Sequence, residues 1–198
     1  MEKMGTVNNN STNTNRKKFL DTKTMIMCSL FTALVAIGAF IRIPLPVTVF
    51  TMQFIFVLLS GLLLGSKRGA LSCLLYVVIG LIGFPVFSEG GGLGYILKPT
   101  FGYLFAFIIT SYVVGFLREK VGTESVLKLF FIALLGMIIT YAIGTVYTYI
   151  ILKYVVGNPI PYHACLISLF PFAFAKDIFS CLISAIATTK LANHIKFD

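Results

Sequence analysis

Charge is scarce in this chain: Asp, Glu, Lys and Arg together make up 12% of its 198 residues, against 58% hydrophobic residues. Soluble globular domains carry about 25% charged residues, so this shortage and a mean hydropathy of +0.94 exclude a water-soluble fold. Acids are scarcer still, 7 against 16 basic residues. The four cysteines, Cys28, Cys73, Cys165 and Cys181, lack C-x-x-C spacing, which excludes a zinc or thiol-redox motif and leaves them as small apolar packers. There is no G-x-x-x-x-G-K-[ST], and the cluster Gly90, Gly91, Gly92 and Gly94 runs into Tyr95 rather than a phosphate-binding lysine. Any ATP hydrolysis coupled to this chain therefore belongs to another subunit. Paired acids, a Ser/His pair and metal-ligand sets are missing from the apolar stretches, and His163 reads as an interfacial residue. No catalytic residue, metal ligand or cofactor is expected, and an enzyme is the minority reading.

What is present is long apolar sequence. Uncharged stretches run from Thr24 to Ile41, Val47 to Gly65, Gly69 to Phe87, Pro99 to Leu117 and Leu129 to Leu152, followed by an interrupted stretch ending near Lys190. Each has roughly the 17 to 25 residues that a bilayer core demands, so the expectation is an all-α integral membrane protein, a six-transmembrane-helix bundle. Twelve basic residues fall on one side of that arrangement (Lys3, Arg16, Lys17, Lys18, Lys23, Lys67, Arg68, Arg118, Lys120, Lys128, Lys190 and Lys196). Three, Arg42, Lys98 and Lys153, fall on the other, which puts both termini in the cytoplasm. The net charge of +9 follows from this topology rather than from nucleic-acid binding, for which a clustered basic face with stacking aromatics is missing. The expected organisation is a disordered cytoplasmic tail over residues 1–23, a single membrane domain over 24–191 and a short cytoplasmic tail over 192–198. The polar start, with Asn8 to Asn15 followed by Arg16, Lys17 and Lys18, is unlike a cleaved secretory signal.

Asp177 is the one acid inside the apolar spans, and Lys176 precedes it. A carboxylate near a bilayer centre costs on the order of 2.5 to 3.5 kcal/mol, so such a residue faces a pocket, a partner or water. Adjacent helical positions diverge by about 100°, so Lys176 and Asp177 are not expected to face the same small ligand group directly. Two outer connections accompany the pair. Arg42 to Thr48 holds Pro44 and Pro46 and is stiff; Phe84 to Thr100 holds the glycine cluster and is flexible. Together they suit a pocket with a fixed wall and a folding lid, or, on the plainer reading, two ordinary surface connections.

Four segments then resemble one family. Pro44-Leu45-Pro46-Val47-Thr48-Val49-Phe50-Thr51-Met52-Gln53, Gly61-Leu62-Leu63-Leu64-Gly65-Ser66-Lys67-Arg68-Gly69-Ala70, Gly80-Leu81-Ile82-Gly83-Phe84-Pro85-Val86-Phe87 and Lys98-Pro99-Thr100-Phe101-Gly102-Tyr103 stand in the order found in BioY proteins. These are the biotin-binding S components of energy-coupling factor (ECF) transporters. The resemblance extends from about Thr24 to Leu191. It implies a multi-pass plasma-membrane protein that takes up biotin as a transported ligand and partners a transmembrane coupling protein and two ABC ATPase subunits. A different small vitamin on the same scaffold is the alternative.

Carried over by position, the resemblance gives Asp177 the ureido ring of biotin, whose two N–H groups suit an acceptor-only carboxylate. The family pattern has Gly before this Asp and Lys three residues after it, where this chain has Lys176 and Ser180. The family also has Arg after the Gly-Tyr pair, where this chain has Leu104. Lys98 is the expected substitute at the ligand carboxylate, ahead of Arg42, with a solvated interfacial lysine as the plain alternative. Phe87, Tyr95, Phe101 and Tyr103 are candidate apolar walls, Gly91 and Gly92 candidate lid residues, and Thr48 and Gln53 candidate neutral hydrogen-bonding groups. Glu89 is expected to face solvent. On the first helix the small residues Ser29 with Ala33 and Thr32 with Ala36 are the candidate partner surface, with internal packing as the other reading.

Overall fold

The computed structural model describes residues 21–44, 49–157, 161–167 and 172–192. Among these, six helices have 12 or more residues: α1 Thr22–Phe40, α2 Gln53–Leu64, α3 Ser66–Ile82, α4 Phe101–Val121, α5 Val126–Tyr154 and α7 Phe172–Leu191. The sixth in chain order, α6 Tyr162–Ile167, is a short segment before α7. Helices α1, α4 and α5 are each long and apolar enough to cross a membrane. Bulky apolar side chains such as Met25, Leu30, Phe131, Ile138, Phe179 and Ile183 point outward, as a lipid-facing surface requires and a soluble one does not. Residues 1–20 and 193–198 of the expected tails, and Thr48, the candidate hydrogen-bonding group, lie outside the described residues.

The second apolar stretch does not form one continuous helix. Its start is strand: β1 Arg42–Pro44 pairs antiparallel with β2 Val49–Thr51, with Arg42 opposite Thr51 and Pro44 opposite Val49. Proline cannot donate a helical hydrogen bond, and the β-branched residues Val49 and Thr51 favour extended backbone, so the helix is delayed to Gln53. The resulting α2 has 12 residues and is about 18 Å long, well short of a hydrocarbon core of about 30 Å. It is nonetheless central. Nine of its residues are buried, and it packs against α1, α3, α4, α5 and α7.

Small residues let the helices around α2 approach closely. A side chain on Gly61 would overlap the Ser111 backbone, and one on Gly69 would meet Ser60 and Ser111. Ser60 and Ser111 share a buried hydroxyl hydrogen bond of 2.8 Å, and Thr110 and Thr140 share one of 2.7 Å between α4 and α5. Gly65, at φ +87°, turns α2 directly into α3, whose first free N–H, on Ser66, donates to Glu119 of α4 at 2.7 Å.

The connection from α3 to α4 is folded back on itself. Phe87, 1% exposed, occupies the space left by Gly80, with Tyr76 edge-on at 5.4 Å and Tyr95 at 4.6 Å between ring centroids. Gly92 N–H donates to the Gly80 carbonyl at 2.7 Å, and a 3-10 turn over Leu93–Leu97 leads into α4.

Candidate functional site

Asp177 lies in the second turn of α7, 5% exposed, where α7 meets α5 and the β1–β2 ribbon. Tyr141 of α5 donates to its Oδ2 at 2.5 Å. Its Oδ1 is 2.6 Å from Lys176 Nζ, and that same ammonium donates to the Thr51 carbonyl at 2.6 Å. The divergence of adjacent helical positions predicts that the two do not face one small ligand group directly; here both line the same cavity and pair with each other. The four-carbon lysine stem curls back across the divergence of the two Cβ directions, drawn by a strand carbonyl that the sequence reading had placed inside a helix. Oδ1 makes the ion pair but no aligned hydrogen bond among the described residues, which leaves it able to accept one.

A second polar group faces the same space. Gln53, the first residue of α2, accepts from Thr51 Oγ1 at 3.1 Å and donates through Nε2 to Tyr76 Oη at 2.7 Å. Tyr76 Oη in turn donates to the Val86 carbonyl at 3.1 Å. That chain fixes the orientation of the Gln53 amide. Its nitrogen carries two hydrogens, and Tyr76 takes one.

Asp177, Lys176, Gln53 and Tyr141 border one cavity, with Val49, Phe54, Leu104, Phe107 and Ala173 as apolar walls and Thr51, Ser88, Tyr95, Thr100, Tyr103 and Thr140 completing it. It holds about 630 Å³ of atom-free space with its mouth included, little of it wide enough for a water molecule. A ligand of vitamin size must move side chains to enter. Tyr103 lays its ring on Gly144, and its buried hydroxyl, near Thr148, makes no aligned hydrogen bond among the described residues.

Of the residues singled out in the sequence, the structure brings Asp177, Lys176, Gln53, Tyr95 and Tyr103 together around one cavity. Lys98 is elsewhere. Its Nζ is 3.4 Å from the Glu89 carboxylate, donates to the Glu89 carbonyl at 3.1 Å and sits 5.0 Å from the Tyr95 ring centroid, closing the loop on itself. Glu89 is exposed, as expected, and also held by this pair. Phe87 is a support beneath Tyr95, and Gly91 and Gly92 back onto Phe84 and Gly80, outside the cavity lining. Phe101 packs on Tyr147, with centroids 6.0 Å apart. Arg42 is exposed on β1. Tyr141, Tyr76 and Thr51 were missed, because a tyrosine or threonine within apolar sequence carries no mark of its distant partner.

Ser29, Thr32, Ala33 and Ala36 border a different feature, a groove between α1 and α3 with about 990 Å³ of atom-free space, its open side included, whose other wall includes Leu75, Tyr76, Ile79 and Val86. Thr32 is satisfied within the fold, donating to the Cys28 and Ser72 carbonyls.

A helical membrane bundle with a roofed, polar-tipped cavity defines a small-molecule binding component. Residues 10–197 match the sequence profile of the BioY family. A probable biotin transporter BioY from Lysinibacillus sphaericus is 47% identical over 134 residues, 67% of each chain. The biotin transporter BioY of Thermotoga maritima is 43% identical over 121 residues, 61% of this chain and 70% of that one. A crystal structure of the S-component for biotin from an ECF-type ABC transporter superposes with a TM-score of 0.76 at 25% identity, covering 97% of both chains. The chain belongs to the BioY family.

Proposed function

We propose that this chain captures biotin from outside the cell as the substrate-binding subunit of an ECF-type transporter. Its family, its relatives among biotin transporters and its likeness to the S-component for biotin support this reading, and the chain is not an enzyme. The observation that carries it is the nearly buried Asp177 carboxylate, with Oδ1 open to a hydrogen bond at the edge of a cavity. A cyclic urea complements that corner. One ureido N–H donates to Asp177 Oδ1 while the ureido oxygen accepts from Lys176 Nζ or from the second hydrogen of Gln53 Nε2. Phe54, Leu104, Phe107 and the Tyr103 ring enclose the thiophane ring and the side chain.

The wider assembly is part of the same proposal. Six helices span the plasma membrane with both termini in the cytoplasm, which leaves the ribbon and the glycine-rich loop on the outer face. The short α2 serves as a span because its neighbours shield it and β1–β2 extends it. The face of α1 carrying Ser29, Thr32, Ala33 and Ala36 receives a transmembrane coupling protein, which two ABC ATPase subunits drive. The test is equilibrium binding of labelled biotin to the purified protein, with other water-soluble vitamins as competitors. Saturable binding displaced by biotin alone is expected. Retention of another vitamin with no affinity for biotin would overturn the reading.

A further inference from the structure

The cavity meets the two ends of its ligand unequally. Lys176 is the sole basic residue among the described lining residues, and its charge is balanced by Asp177 and held by the Thr51 carbonyl. Lys98, the basic residue of the loop, is balanced by Glu89. The segments between the two tails that lie outside the described residues, 45–48, 158–160 and 168–171, contain no Lys, Arg or His. On its loop side the cavity offers hydroxyls: Ser88 and Thr100 each bond Tyr95 Oη, at 3.1 and 3.2 Å. All three are neutral.

A carboxylate taken out of water without a cation is strongly disfavoured, whereas an amide is far less so. The carboxyl end of the ligand thus has no counter-ion in the cavity and stays hydrated at the mouth. Hydroxyl groups can donate to an amide or ester carbonyl as well as to a carboxylate oxygen, and need no charge on the acceptor. We propose that the site recognises the bicyclic head alone and also accepts biotin derivatives whose side-chain carboxyl is capped as an amide or ester, so that the class of ligand includes biotin joined to an amine such as the lysine side chain. This rests on the biotin reading above and extends it.

The test compares biotin, its N-methylamide and ε-N-biotinyl-lysine as competitors of labelled biotin on the purified full chain. Dissociation constants within about three-fold of one another are expected. A loss of about ten-fold or more for both capped forms overturns the inference while leaving biotin capture intact. Absence of binding by biotin and by both derivatives overturns the functional reading and this one with it. A second measurement uses T100K, which places a cation among the loop hydroxyls at a half-buried position. It is expected to create a preference for the free acid over the amide, and unchanged parity would overturn the placement of the ligand tail.

Discussion

Lys176 Nζ stands 2.6 Å from the carboxylate of Asp177, its immediate neighbour on α7, and 2.6 Å from the Thr51 carbonyl on β2. One ammonium thus joins the last helix to the ribbon over the cavity and neutralises the acid that borders it. Asp177→Asn keeps the shape but leaves that ammonium with a neutral partner. Charge-assisted hydrogen bonds contribute about 1.5 to 3 kcal/mol, so biotin affinity is expected to fall at least ten-fold. Isothermal titration checks this, and an unchanged dissociation constant would remove Asp177 from the site.

Tyr76 joins Gln53 to the Val86 carbonyl, so Tyr76→Phe removes an acceptor from the cavity amide and a donor from the loop at once. Losing two buried hydrogen bonds costs about 1 to 3 kcal/mol. Affinity for biotin should drop several-fold, and the drop should vanish in a Gln53→Ala background. Equal losses in both backgrounds would show that Tyr76 acts on the fold and not through Gln53.

Lys98→Ala opens the loop at its ion pair with Glu89 and removes the cation over the Tyr95 ring, although Lys98 itself does not line the cavity. Both partners are about two-fifths exposed, and such pairs contribute at most about 1 kcal/mol. Biotin and its amide should lose affinity equally and by less than about five-fold. A loss confined to biotin would place Lys98 at the ligand carboxylate after all.

Long uncharged runs made α1, α4 and α5 legible, since nothing but a bilayer asks for helices of that length and composition. The second run misled because a proline-bounded β-ribbon is as apolar as a helix, and only the β-branched alternation near Val49 and Thr51 hinted at strand. Asp177 was legible as an isolated acid, but its surroundings were not. Tyr141 stands 36 residues before it, and Tyr76 stands 23 residues beyond Gln53, separations that no local pattern encodes. Lys98 was drawn toward the ligand by its place beside the glycines, whereas its partner is Glu89, within the same loop.

Gly144 gives the closing case. Its missing side chain is the seat of the Tyr103 ring, and a Cβ there would overlap ring carbons. Gly144→Ala should therefore weaken biotin binding more than it lowers the melting temperature, with titration and thermal unfolding read side by side. A methyl group at Gly144, which is not itself part of the cavity lining, would behave as a resident inhibitor, tipping the Tyr103 ring into the chamber. Selection for uptake can thus act on a residue that never meets the cargo.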